Sequence, residues 1–240
     1  MAEADSILEY LTAKNPGLAH PEPTTKGLSS SYWWHTPRLI KHWDDFNFET
    51  LEAIYKGTLM DAARKKGRRL PYPVLDPEVD YFIWDENCTR HLYSKWNHSI
   101  VTKSLGCVKE FRPCYWLPTS RNVGPKAPRG IPDAGGYVLL PSADANAAEH
   151  SAPHRSVRAQ LHIEFKPASK WTSATMSQGG DYVNDDGTWK GSSNRSNAIM
   201  PIRQAYTYCV ASKCRYGCIL TGEEAVIFRI KPLKAPDTDG

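Results

Sequence analysis

The sequence predicts an α/β fold of the mixed α+β kind, with one central mixed sheet flanked by helices and a helical, irregular N-terminal extension. Three observations predict it. From residue 85 onward, helical periodicity and strand-like alternation succeed one another as helix, three strands, helix, two strands. The 240 residues include eight Trp and 11% aromatics, enough for a substantial core. Pro, Gly and Ser cluster in the first 40 residues and again between the periodic segments.

The elements follow in order. Residues 1 to about 40 read as irregular chain lying over the surface, with Trp33 and Trp34 docking it to the body. Phe48, Leu51, Ile54, Leu59 and Ala62 recur at near-helical spacing, and "LPYPVLDPEVD" then breaks the chain. The stretch "DENCTRHLYSKWNHSIVTKSL" puts Leu92, Trp96, Ile100 and Leu105 on one helical face, with Asp85 and Glu86 at its start. Strands are expected in "EFRPCYWLP", where Pro113 marks an edge or bulge, in "YVLLP" and in "AQLHIEFK". Residues 141–156 read as an exposed loop, and 168–198 as a long polar one, of a length usually functional or disordered. Pro201 suits the first turn of a helix over "AIMPIRQAYTYCVASK". "YGCIL" and "AVIFRI", joined by "TGEE", read as a hairpin. The expected organisation is an extension over 1–80 packed on the core, a domain over 81–232 and a tail over 233–240.

Composition narrows the function classes. No apolar run approaches the roughly 20 residues a membrane-spanning helix needs. The N-terminus carries acids where a secretory signal carries positive charge, so an intracellular protein, nuclear or cytoplasmic, is expected. The six cysteines contain no Cys-x-x-Cys pair, which argues for packed, reduced thiols over a zinc ribbon. A zinc site from Cys209, Cys214, Cys218 and a histidine is the weaker alternative. The net charge of +4 permits a polyanionic partner without demanding one. "RKKGRR" at 64–69 either closes a helix or contacts phosphate.

One strand carries chemistry. In "AQLHIEFKP", Leu161, Ile163 and Phe165 alternate as core residues should, yet the other row holds His162, Glu164 and Lys166. An acid and a base at i and i+2 in a buried strand are costly unless paired or occupied by a ligand. A satisfied ion pair at the strand end is the plain reading. The functional one brings Asp133, at the mouth of the preceding strand, beside Glu164. Two such carboxylates repel, and a divalent cation relieves the repulsion. Their oxygens suit Mg²⁺, and a neighbouring lysine can orient water or stabilise charge on a phosphoryl oxygen.

Pro132-Asp133 followed by Glu164-Phe165-Lys166 resembles the PD-(D/E)xK signature of restriction-endonuclease-like nucleases. The order of elements is similar to the αβββαβ core of that superfamily. Gln204-x-x-x-Tyr208 on the next helix resembles the Q-x-x-x-Y element of its exonuclease branch. The run from 203 to 230 also resembles uncharacterised fungal members; the likeness covers about residues 85–232. It implies a Mg²⁺- or Mn²⁺-dependent nuclease acting on DNA or RNA. Asp133 and Glu164 would hold the metal with help from the Phe165 carbonyl, and Lys166 would position or activate water. Gln204 and Tyr208 would orient Lys166 or the substrate; a surface Gln and a core Tyr are their alternative roles. The family often adds an acid from the first helix, here Glu86 with Asp85 as substitute. His162 can line the site or be a hydrogen-bonded histidine. Arg203 and Lys170 are candidate nucleic-acid contacts, and Trp171, Tyr182 and Trp189 either stack bases or anchor the polar loop. A catalytically inactive module of the same fold, binding nucleic acid or protein as an effector or regulatory domain, is the alternative to the enzyme.

Overall fold

The computed structural model describes residues 3–4, 6–19, 28, 30–31, 33–64, 70–108, 114–117, 132–139 and 157–232. The side chains of the basic run at 64–69, the loop at 141–156, Pro113 and the tail at 233–240 lie outside the described residues.

The N-terminal 40 residues hold more regular structure than their composition predicts. Ser6 accepts a hydrogen bond from Glu9 N and starts a short helix, α1 (Ile7–Leu11). Its buried Ile7 and Tyr10 pack with Leu70, Ile100, Cys107 and Val108. Strand β1 (Glu3–Ala4) pairs antiparallel with β2 (Leu70–Pro71), so the first proline after residue 69 lies in a small two-stranded sheet. Helix α2 (Phe48–Arg64) forms where the spacing predicts it, but its apolar row is not a buried face: Phe48 and Ile54 are exposed, and Leu59 packs on the N-terminal cluster. Trp34 is buried as anticipated, edge-on to Trp33.

The expected single helix over 85–105 is two: α3 (Glu86–Lys95) and α4 (Asn97–Cys107), broken at Trp96. The halves serve different cores, which explains the break. Tyr93 packs on the sheet residues Ile163, Phe165 and Cys218, whereas Ile100 and Cys107 join the N-terminal cluster. Trp96 itself stacks on Tyr72 with ring centroids 6.2 Å apart.

The main sheet runs β3 (Cys114–Leu117), β4 (Ala134–Leu139), β5 (Val157–Phe165), β6 (Tyr216–Leu220), β7 (Ala225–Arg229) in space as in sequence. Only β5 and β6 are parallel, which requires the crossover supplied by α5 (Met200–Ala211). The result is a mixed α/β architecture, a five-stranded mixed sheet with helices against it. Opposite β4, Gly136 pairs with Leu161 but Tyr137 with Ala159, leaving Gln160 as a bulge. The bulge shifts the side-chain phase, so Ala159 joins Tyr137 and Cys209 of α5 rather than the Ile163–Phe165 row.

Helix α5 ends with Lys213 in the left-handed region (φ 55°), Cys214 N bonded to Cys209 O and Lys213 N to Val210 O. That motif brings Cys209 and Cys214 together, both thiols donating to Tyr216 O, while Cys218 packs in the cluster with Tyr93. None of the six cysteines is in a disulfide. Within the polar stretch, Trp171 donates to Ala198 O and Trp189 to Pro37 O, so these aromatics anchor it. Gly187 adopts φ +90°, and a Cβ there would meet Ile40 O at 2.6 Å. Among the described residues, no helix is long and apolar enough to cross a membrane.

Candidate metal centre at the end of the central strand

Register places the acids. Ala134 pairs with Ile163, so Asp133, the residue before β4, lies beside the last turn of chain in β5. Its Oδ2 accepts the Phe165 N–H at 2.9 Å and its Oδ1 accepts from the Arg90 guanidinium. Asp85 caps α3 by accepting Cys88 N at 2.9 Å, which leaves Glu86 as the first helical residue, aimed at the strand end. Glu86, Asp133 and Glu164 each offer an oxygen within 4.8 Å of the others. Among the described residues this is the one group of three or more metal-ligating side chains, so Cys209, Cys214 and Cys218 form no such group.

Lys166 closes the arrangement. Its backbone N–H bonds to Leu220 O, and its ammonium donates to Glu164 Oε1 (2.6 Å), Phe165 O (2.8 Å) and Glu86 Oε2 (3.1 Å). Three acceptors match its three protons. Burial works against its charge, but Glu164 and Glu86 outweigh that and raise its pKa. Glu164 is only 2% exposed, and its Oε2 has no partner. Burial pushes its carboxyl up to about 8 against the pull of Lys166, and the charges of Asp133 and Glu86 push the same way. Asp133 is likewise raised, mainly by burial and then by Glu86, opposed by the Phe165 N–H and Arg90. Three carboxylates face two cationic groups, and one buried oxygen remains unsatisfied. Such a donor set, all carboxylate oxygen, could hold a hard metal ion.

The remaining candidates divide. Gln204 and Tyr208 stack on one face of α5, with Gln204 Nε2 donating to Tyr208 Oη at 3.1 Å and Gln204 Oε1 buried without a partner. Burial, and next the charge of Glu164, pushes the Tyr208 hydroxyl up to about 12. The Phe165 carbonyl, expected to help a metal, is engaged by Lys166. His162 does not reach the centre: its Nε2 meets Ser212 Oγ at the end of α5, beyond one residue of strand. Arg203 donates to Trp34 O and so ties down the N-terminal segment. Lys170 lies beside Asp85, whose carboxyl is held low first by the Cys88 N–H and more weakly by that lysine.

Sequence reading passed over Arg90. The available signal was its spacing: Arg90 is four residues after Glu86 on one helix, hence on the same face. Comparison of the chain with family models, with curated proteins and with solved structures gives no match.

Proposed function

We propose that the protein is a Mg²⁺- or Mn²⁺-dependent nuclease of the restriction-endonuclease-like kind, hydrolysing phosphodiester bonds of DNA or RNA. The observation that carries the reading is the meeting of Glu86, Asp133 and Glu164 around one point with Lys166 among them. A bound cation would supply Lewis-acid stabilisation of charge on a phosphoryl oxygen. Glu164, Asp133 and Glu86 would hold it, the partnerless Glu164 oxygen being the most available ligand atom. Lys166 is fixed by the Phe165 carbonyl, and once a cation draws Glu86 or Glu164 away from its ammonium, the proton so released can hold a water or a phosphate oxygen. Gln204 and Tyr208, bonded to each other on α5, would orient Lys166 or the substrate, with the buried, unpartnered Gln204 Oε1 as the acceptor.

A second reading rests on a specific observation as well. Asp133 and Glu164 each already have a cationic partner, as a catalytically inactive module of this fold would arrange them. Incubation with single- and double-stranded DNA and RNA in Mg²⁺ or Mn²⁺, beside Lys166→Ala and Asp133→Asn controls, separates the two. The nuclease reading expects cleavage by the wild-type chain and loss of at least a hundredfold in both variants. No cleavage of any substrate, or equal cleavage by all three proteins, removes it.

A further inference from the structure

Arg90 has no part in the mechanism above, yet it faces the same centre from one turn further along α3 than Glu86. Its Nη2 donates to Asp133 Oδ1, while its Nε is buried without a partner. These two nitrogens form the side-on edge of the guanidinium, whose parallel donors match two oxygens of a carboxylate or a phosphate. Asp133 satisfies half of that edge. Its second oxygen is held by the Phe165 N–H and cannot turn to complete the pair. A buried guanidinium donor left unmatched is costly. The side chain is 36% exposed, so a ligand can approach the guanidinium from outside, and the buried Nε comes within its reach when the side chain turns away from Asp133. Asp133 Oδ1 therefore has two suitors, the Arg90 guanidinium and a cation shared with Glu86 and Glu164.

We propose that Arg90 is an anion-binding residue with two partners in succession. It neutralises Asp133 until a divalent cation takes that oxygen, then grips a backbone phosphate of the nucleic acid along its Nε/Nη2 edge. The inference rests on the metal-centre reading and adds to it the group that senses when the cation is in place. Arg90 thus opposes metal binding and favours substrate binding. A merely structural strut of Asp133 would move neither in that way.

The test measures both. Mn²⁺ affinity is read by calorimetry for the wild-type chain and Arg90→Gln. Affinity for a fluorescent single-stranded 12-mer is read by anisotropy in Ca²⁺, chosen as a cation that supports binding over cleavage. Arg90→Gln is expected to bind Mn²⁺ about tenfold tighter and the oligonucleotide about tenfold weaker, each the size of one charge-assisted bond. Unchanged or weaker Mn²⁺ binding in the variant, or unchanged oligonucleotide affinity, overturns the proposal for Arg90 alone. Absence of Mn²⁺ binding by the wild-type chain overturns the metal centre and this proposal with it. Should Arg90→Gln fail to fold, Arg90→Lys decides: it keeps the charge but loses the flat two-donor edge. It is expected to bind the oligonucleotide about fivefold more weakly with Mn²⁺ affinity within about threefold of wild type; unchanged oligonucleotide affinity overturns the proposal.

Discussion

Helix α3 serves two buried acids, and they are built in opposite ways. Near its C-terminal end, Asp80 is fully satisfied: Oδ1 meets Lys95 (2.8 Å) and His91 (3.1 Å), and Oδ2 accepts from Asp76 N (2.7 Å) and Lys95 (2.9 Å). Burial pushes its carboxyl up, but the bonds from Lys95, Asp76 and His91 prevail and hold it below the usual range. At the N-terminal end, Glu164 has one cationic partner, two acidic neighbours and an orphaned oxygen, and its carboxyl is pushed up to about 8. A lysine faces both acids. What differs is whether every lone pair is answered: Asp80 is arranged to hold the fold together, whereas Glu164 keeps one oxygen unanswered, as the proposed metal centre requires.

The largest expected effect tests this contrast directly. Asp80→Ala removes the acceptor of four contacts and is expected to cost about 3 kcal/mol, the low end for a broken buried pair because Lys95 and His91 reach solvent. Glu164→Gln keeps an acceptor for Lys166 and replaces a carboxyl already pushed up to about 8, so the loss of stability is expected to be about 1 kcal/mol or less. Urea unfolding of both variants measures the difference. Equal losses in the two would end the distinction between them.

His162 sharpens the contrast as a half-satisfied case. Its Nε2 has Ser212, its Nδ1 is buried without a partner, and burial lowers its pKa from 6.5 to about 4. The folded state therefore prefers the neutral ring more than the unfolded chain does. Its stability contribution is whole above pH 6.5, falls as pH drops and is gone below about 4, a total of about 3 kcal/mol. A His162→Gln variant is expected to lack that part of the acid dependence, leaving its unfolding free energy flatter between pH 6.5 and 4. A parallel pair of curves would show that His162 titrates normally.

Much of this was legible before the fold was known, and the reasons are local. Alternation in "AQLHIEFK" exposed the misfit of Glu164 and Lys166, because period 2 assigns a face without any knowledge of neighbours. Asp133 was legible because a Pro-Asp pair stood just before the next apolar run. The break at Trp96 was not, since the apolar face of 85–105 continues across it and only the two separate cores divide it. The bulge at Gln160 was equally hidden: a one-residue slip changes the pairing but no residue type. Asp80 sat inside a stretch read as chain-breaking, and its importance comes from α3 side chains eleven and fifteen residues away. Arg90 was passed over because a surface-looking cation on a helix acquires meaning only when a strand mouth supplies Asp133.

The smallest stability effect is also the most diagnostic. Glu86 bonds Lys166 at 3.1 Å but is 37% exposed, so its side of that pair is screened by water. Glu86→Gln keeps an acceptor for Lys166 and is expected to cost about 0.5 kcal/mol or less on unfolding. Mn²⁺ affinity should nevertheless fall about tenfold or more, since one of three carboxylates is gone. A structural salt bridge moves both quantities together, whereas a ligand moves the second without the first. Loss of stability with unchanged Mn²⁺ affinity would place Glu86 with Asp80, as a partner for a lysine and nothing more.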